Sequence, residues 1–282
     1  DPSHPLTARV AVNRIWQHLF GEGLVRSVDN FGLSGEKPTH PELLDFLAVQ
    51  FIKDGWSTKR MIRRIVLSRT YRLASSVEGN SAATLDPDNR LLWRQNQRRL
   101  EAEPLRDAML EVSGELDRTP PAASPVSTMK DTELNDRVVI TPEQKGGHVR
   151  SVYLPIARQT LPAMLKAFDF ADPSLVIGQR SSRTTPAQQL FLLNDPFIID
   201  QAYYWAEQLV ASKHDSVDTR IRNMFQRAVG RLPNEREQKR FAKLIRSLAK
   251  NASDDAALLE DKSIWKDAAH AIFNMKELVY IR

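Results

Sequence analysis

A mostly α-helical, multi-helix bundle with one minor short strand pair beside a proline- and glycine-bearing insert is the fold class this sequence predicts. Two observations carry that prediction, and a third places the strands. Apolar residues recur at i, i+3, i+4, i+7 through most segments, which is the period of one helix face. Helix-start chemistry precedes several of those segments: Thr39 with Glu42, Thr185-Pro186 with Gln188, and Asn234 with Glu237. Between residues 119 and 149 the rhythm fails, and Pro120-Pro121, Pro125, Pro142 and Gly146-Gly147 read as an extended insert.

In order along the chain, Ala8, Ala11, Val12, Ile15, Trp16, Leu19 and Phe20 form one face of a first helix, with Pro5 in its first turn and Gly21 and Gly23 ending it. A glycine-rich connector, residues 29–38, leads to a second helix capped by Thr39, with Leu44, Leu47, Ala48 and Phe51 inward. Ile62, Ile65 and Val66 mark a third, whose other side carries Lys59, Arg60, Arg63 and Arg64. Residues 75–88 read as a loop. The helical pattern resumes near Glu101 with Leu105, Ala108, Met109, Val112 and Leu116 in register.

Flanking the insert, Arg137–Thr141 and Arg150–Leu154 fit two short strands. Helices follow from Thr160-Pro162, from Thr185, and from Asp195-Pro196 with Ile199, Ala202, Tyr203, Ala206 and Val210 inward. Two more run from Val217 to Gly230 and from Asn234, and Trp265, Ala268, Ala269, Ile272 and Phe273 close the bundle in a further helical stretch. The last residues, 278–282, continue that pattern. The expectation is a single helical domain over 1–282, with an N-terminal half 1–118, a loop insert 119–149 and a C-terminal half 150–282. Each half alone has too little core to stand by itself.

Composition bounds the chemistry. Of 282 residues 41% are hydrophobic, enough for a sizeable core. No apolar run reaches the roughly 20 residues of a membrane span. The net charge of +5, from 40 Lys and Arg against 35 Asp and Glu, favours an acidic partner such as an anionic glycan or an acidic protein. The excess is modest, and beside the stripe of Arg60, Arg63, Arg64, Arg69 and Arg72 the aromatics Trp56 and Tyr71 are too few to decide for nucleic acid, which stays as a third, less favoured reading; arginines covering the sides of an amphipathic helix are the competing one. With no cysteine, disulfides, thiolate zinc, iron–sulfur clusters and covalent c-type haem are excluded within these residues. Any targeting segment is expected upstream of Asp1.

Three polar constellations stand out. His18, Asp29, His40 and Asp45 are the candidate catalytic or metal-binding set, as metal ligands or an acid–base pair. The competing reading is structural: Arg14 pairs with a carboxylate and the set holds the glycine-rich loop. Arg99, Glu103, Arg106 and Asp107 read as a charge ladder along one helix, with salt bridging as their role; a hydrolytic carboxylate pair there needs a cleft. Arg180, Arg183, Thr184, Thr185 and Gln188 form a candidate anion site at a helix N-terminus, against the alternative that Thr185 merely caps and Arg183 bridges elsewhere. No glycine-rich phosphate loop, nucleophile elbow or zinc-protease string is present.

One family accounts for most of these strings. His4-Pro5-Leu6-Thr7-Ala8-Arg9, Asn13-Arg14-Ile15-Trp16, His18-Leu19-Phe20-Gly21, Asp29-Asn30-Phe31-Gly32 and His40-Pro41-Glu42-Leu43-Leu44-Asp45 open the match. It continues through Ser68–Arg72, Arg98–Leu100, Glu103, Arg106-Asp107, Phe168-Asp169, Asp172-Pro173, Arg183–Pro186, Leu193–Phe197 and Ala269–Asn274. In these the chain resembles the planctomycete-specific domain catalogued as domain of unknown function 1553. That resemblance implies a C-terminal module of a large exported, cell-envelope protein whose partners are upstream domains of the same polypeptide, often including a cytochrome-c-like one. It implies no cofactor here; any haem belongs to an absent upstream domain. It supplies no catalytic residues. The leading expectation is a non-catalytic binding or scaffolding module, with a hydrolase or redox-linked enzyme acting on envelope or environmental polysaccharide as the rival.

Overall fold

In a computed structural model, residues 2–77, 79, 81–123, 147–156, 161–212, 216–249 and 255–281 are described. Amphipathic segments bury their apolar faces in two separate cores, so the chain divides into two compact units. The first comprises residues up to 98 together with 176–180; the second runs over 99–175 and 181–281.

In the first unit, α1 (Thr7–Phe20) packs on α2 (Pro41–Lys53) and on α3 (Thr58–Val66). Val12, Trp16, Phe20, Leu24, Val25, Leu44, Leu47, Phe51, Met61 and Ile65 form its core. Trp16 and Phe20, one turn apart, stack with centroids 4.2 Å apart, and Tyr71 meets Phe20 edge-on at 5.5 Å. Gly21 ends α1 in the left-handed region, as expected, whereas Leu6 precedes the first turn and Pro5 lies outside it. Thr39 does not cap α2. His40 takes that position without a side-chain cap, while the backbone N–H of Thr39 donates to the Leu24 carbonyl at 2.8 Å. Ile62 points outward, and Met61 with Ile65 makes the buried face of α3. A four-residue helix, α4 (Ala82–Leu85), interrupts the loop expected over 75–88.

The loop after α1 is held from inside. The amide of Asn13, fully buried, donates to the Val25 carbonyl at 2.9 Å and accepts from the Val25 N–H at 2.8 Å. One side chain thus satisfies both polar groups of a residue that no helix or strand serves.

The second unit begins with α5 (Ala102–Ser113) and contains α6 (Ala163–Ala167), α7 (Pro186–Asn194), α8 (Pro196–Ala211), α9 (Val217–Val229), α10 (Glu235–Leu248), α11 (Asp255–Glu260), α12 (Lys262–Phe273) and α13 (Lys276–Val279). Its most extensive packing is α8 on α12, around the fully buried Trp205 and Phe273, whose rings lie 5.5 Å apart. Ile198, Ala202, Trp205, Ala206 and Leu209 are the inward side of α8. Ile199 and Tyr203, expected inward, are exposed: Trp205 pulls the buried stripe one position round. The capping boxes at Thr185 with Gln188 and at Asn234 with Glu237 form as expected.

The strand pair is real but lies elsewhere than beside the insert. β1 (Arg98–Arg99) pairs with β2 (Tyr280–Ile281), and next to it the Leu100 N–H donates to the Val279 carbonyl at 2.7 Å. Among the described residues around the insert, Asp117 forms a parallel bridge with Val149. Arg150–Leu154 is not a strand; Ser151–Tyr153 is a 3-10 turn, and the partner strand proposed at Arg137–Thr141 lies outside the described residues, as does Thr160.

Asn13→Ala leaves the Val25 N–H and carbonyl buried without partners, and is expected to cost about 2–3 kcal/mol in urea unfolding. A loss below about 0.5 kcal/mol would mean that water reaches Val25 and the clamp is dispensable.

Candidate functional site

Arg106 fixes one wall of a groove in the second unit. It lies on α5, is 3% exposed, and has its guanidinium 5.5 Å from the Phe197 ring centre. A charge taken out of water needs acceptors, and Arg106 finds them on the returning chain. Nη1 donates to the Val149 carbonyl at 2.9 Å and Nη2 to the Gly147 carbonyl at 3.0 Å. The neighbouring Asp107 accepts from the Ser151 N–H at 2.7 Å. Together they lay residues 147–152 alongside α5. Of the charged residues expected to salt-bridge along this helix, Arg106 bonds backbone carbonyls and comes within 3.9 Å of Asp107, and Arg99 pairs with Asp169.

The result is a groove of about 830 Å³. Glu103, Asp107 and Glu111, at i, i+4 and i+8 on one face of α5, line it with Glu101. Pro104, Ala108, Leu116 and Val152 supply apolar surface, and Arg118 and Arg150 are the cations. Arg118 pairs with Glu111 at 2.8 Å. Gly114 ends α5 with φ +80°, and a Cβ there would lie 2.2 Å from the Gln208 amide, so only glycine closes the helix at this point.

Arg99 is the second buried cation. Its side chain is 4% exposed, and Nη2 donates to Asp169 Oδ2 at 2.5 Å. Gln188 donates to that same oxygen at 3.3 Å and to the Ala167 carbonyl at 3.1 Å, while its carbonyl oxygen accepts from the Thr185 N–H at 3.2 Å. The Gln188 amide is thereby committed to the cap. Thr184 hydrogen-bonds Tyr280, and Arg183 is exposed at the surface. Arg180 belongs to the first unit, so the five residues proposed for an anion site divide between units.

The early set is dispersed among separate partners. Asp45 pairs with Arg9 at 2.6 Å. Asp29 accepts from the Gly178 N–H at 3.1 Å, an approach so close that a Cβ on Gly178 would lie 1.8 Å from its carboxylate. His40 hydrogen-bonds Thr39 at 3.0 Å, and His18 is exposed, offering its carbonyl to Arg98. Among the described residues no three His, Asp or Glu side chains come together as a metal-ligand group. Arg14 and His18 share a face of α1 as their spacing requires, both exposed.

Sequence reasoning missed the α5 groove, because its second wall comes from residues 116–118 and 150–152 and is set by backbone acceptors that leave no side-chain signature. The adjacency of Phe168-Asp169 and of Arg98-Arg99 to helix boundaries was the only hint of the Arg99–Asp169 pair.

The fold is that of a mostly helical chain in two compact units, with one short strand pair and a polar groove on the second. Residues 1–245 match the family described as PSD1, protein of unknown function (DUF1553), and the chain belongs to that family. No curated protein and no solved structure shows significant similarity to it. No helix among the described residues is long and apolar enough to cross a membrane.

Two outcomes follow from these pairs. The hydrogen bond from Arg9 holds the Asp45 carboxyl below its ordinary value. Its stabilisation is therefore present above the unfolded pKa and disappears as pH falls through the folded one. Carboxyl NMR titration should show Asp45 returning to the usual range in Arg9→Ala; an unchanged titration would refute the pairing. Asp169→Asn keeps shape and tolerates φ +60° but strands the Arg99 charge, and should destabilise by about 3 kcal/mol in urea unfolding. Wild-type stability in that variant would show Arg99 to be hydrated.

Proposed function

We propose that the chain is a non-catalytic binding module of a larger exported protein, and that the α5 groove receives a positively charged segment of a neighbouring domain of the same polypeptide. One observation carries this reading: among the described residues Glu101, Glu103, Asp107 and Glu111 line a groove together with Arg118 and Arg150, beside the apolar Pro104, Ala108, Leu116 and Val152. Such a field attracts cationic side chains and repels the anionic glycan expected from the overall charge. That apolar surface accommodates the aliphatic stems of lysine and arginine. Export, an envelope location, a planctomycete setting and an upstream cytochrome-c-like domain carrying haem complete the proposal on the family resemblance alone.

A second reading, a hydrolase acting on envelope or environmental polysaccharide, is favoured by one feature: Glu103 and Asp107 line the same groove, and glycoside hydrolysis uses two carboxylates in one cleft.

Calorimetric titration with a short Lys/Arg-rich peptide separates the two. The wild type should bind, and Glu103→Gln/Glu111→Gln should weaken binding about tenfold, as two partly exposed charges warrant. Equal affinity in the double variant would remove the groove from the account. Release of reducing sugar from a polysaccharide, abolished by Glu103→Gln, would install the hydrolase in its place.

A further inference from the structure

The formal charge is unevenly divided. Residues 1–98 and 176–180 hold 15 Lys and Arg against 10 Asp and Glu, so the whole net charge of +5 belongs to the first unit and the rest of the chain balances. Within that unit the surplus gathers on α3 and the turn after it. Lys59, Arg60, Arg63, Arg69 and Arg72 are exposed, and among the described residues none of the five meets a carboxylate; Arg64 does, on Asp54 at 2.9 Å.

At 3.6 residues per turn, Lys59, Arg63 and Leu67 form one row opposite the buried Met61 and Ile65. Arg60 and Ile62 border that row. Leu67 is 59% exposed and Ile62 38%, so two aliphatic side chains stand in water among unpaired cations. Of the aromatics flanking α3, Tyr71 is turned edge-on against Phe20 and Trp56 edge-on against Phe51, so neither is a free stacking platform for a base.

We propose that this face docks on an anionic phospholipid surface. Lipid phosphates and carboxylates supply the counter-charge that the protein does not. The boundary between headgroup and acyl chain accepts Leu67 and Ile62, which a soluble polyanion would leave hydrated. The described helices are too short and polar to span a bilayer, so the contact is with its surface. This inference uses no property of the α5 groove, and the two readings fail independently.

Cosedimentation of the full chain with vesicles tests it. The chain should pellet with phosphatidylcholine vesicles containing phosphatidylserine, should be released by high salt, and should ignore phosphatidylcholine alone. Lys59→Gln/Arg60→Gln/Arg63→Gln should lower partitioning about 100-fold, at about fivefold per charge. Ile62→Ser/Leu67→Ser should lower it about tenfold while leaving any binding to soluble polyphosphate unchanged. Circular dichroism confirms that each variant remains helical. Failure of the wild type to pellet with phosphatidylserine vesicles, or undiminished pelleting of the triple variant, overturns the proposal. Full vesicle binding by the serine variant also overturns it, assigning the stripe to polyanions in general.

Discussion

A guanidinium removed from water needs hydrogen-bond acceptors, and the second unit meets much of that demand from its backbone. Arg99, Arg106 and Arg220 are each more than nine-tenths buried. Among the described residues Arg99 is the one of the three with a carboxylate within 3 Å, while its own Nε and Nη1 and the Nε of Arg220 meet no acceptor. Arg106 and Arg220 instead hold backbone carbonyls: Arg106 those of Gly147 and Val149, Arg220 that of Leu259 at 2.7 Å. Carbonyls are available where no helix uses them, so Arg106 fixes an irregular segment against α5 and Arg220 holds a carbonyl in the last turn of α11. Arg220 also lies over the Trp265 ring at 4.5 Å. Burial pushes its pKa down to about 10, and it remains a cation at neutral pH.

The groove is a consequence of this. Among the described residues, residues 147–152 pair with the rest of the chain through the isolated bridge at Val149. Without Arg106 and Asp107 on α5, Arg150 and Val152 would have no set position opposite Glu103 and Glu111. A structural demand in the interior therefore determines which side chains share a surface. The same economy places the acidic row outward: Leu105, Met109 and Val112 occupy the buried face of α5, and Glu103, Asp107 and Glu111 are what remains.

Charge divides along the chain in a related way. In the second unit many charged groups have definite partners, among them Arg231 with both Glu237 and Glu277. In the first, α3 carries cations that the fold does not use. An exposed stripe of that kind contributes little to stability and is free to meet something outside the molecule.

Helix periods and caps are local properties, and the sequence by itself determined them. Thr185, Asn234 and the glycines at 21 and 230 announce helix ends because the relevant bonds span three or four residues. Thr39 misled because the Leu24 carbonyl, fifteen positions away, bids for it more effectively than its own helix. The candidate sites fared worse for the same reason. His18, Asp29, His40 and Asp45 are close in sequence, yet each finds a different partner, while Arg99 and Asp169 are seventy positions apart and touch. Only the tertiary structure decided these pairings, because a buried charge selects its partner by distance in space, and chain separation carries no information about that distance.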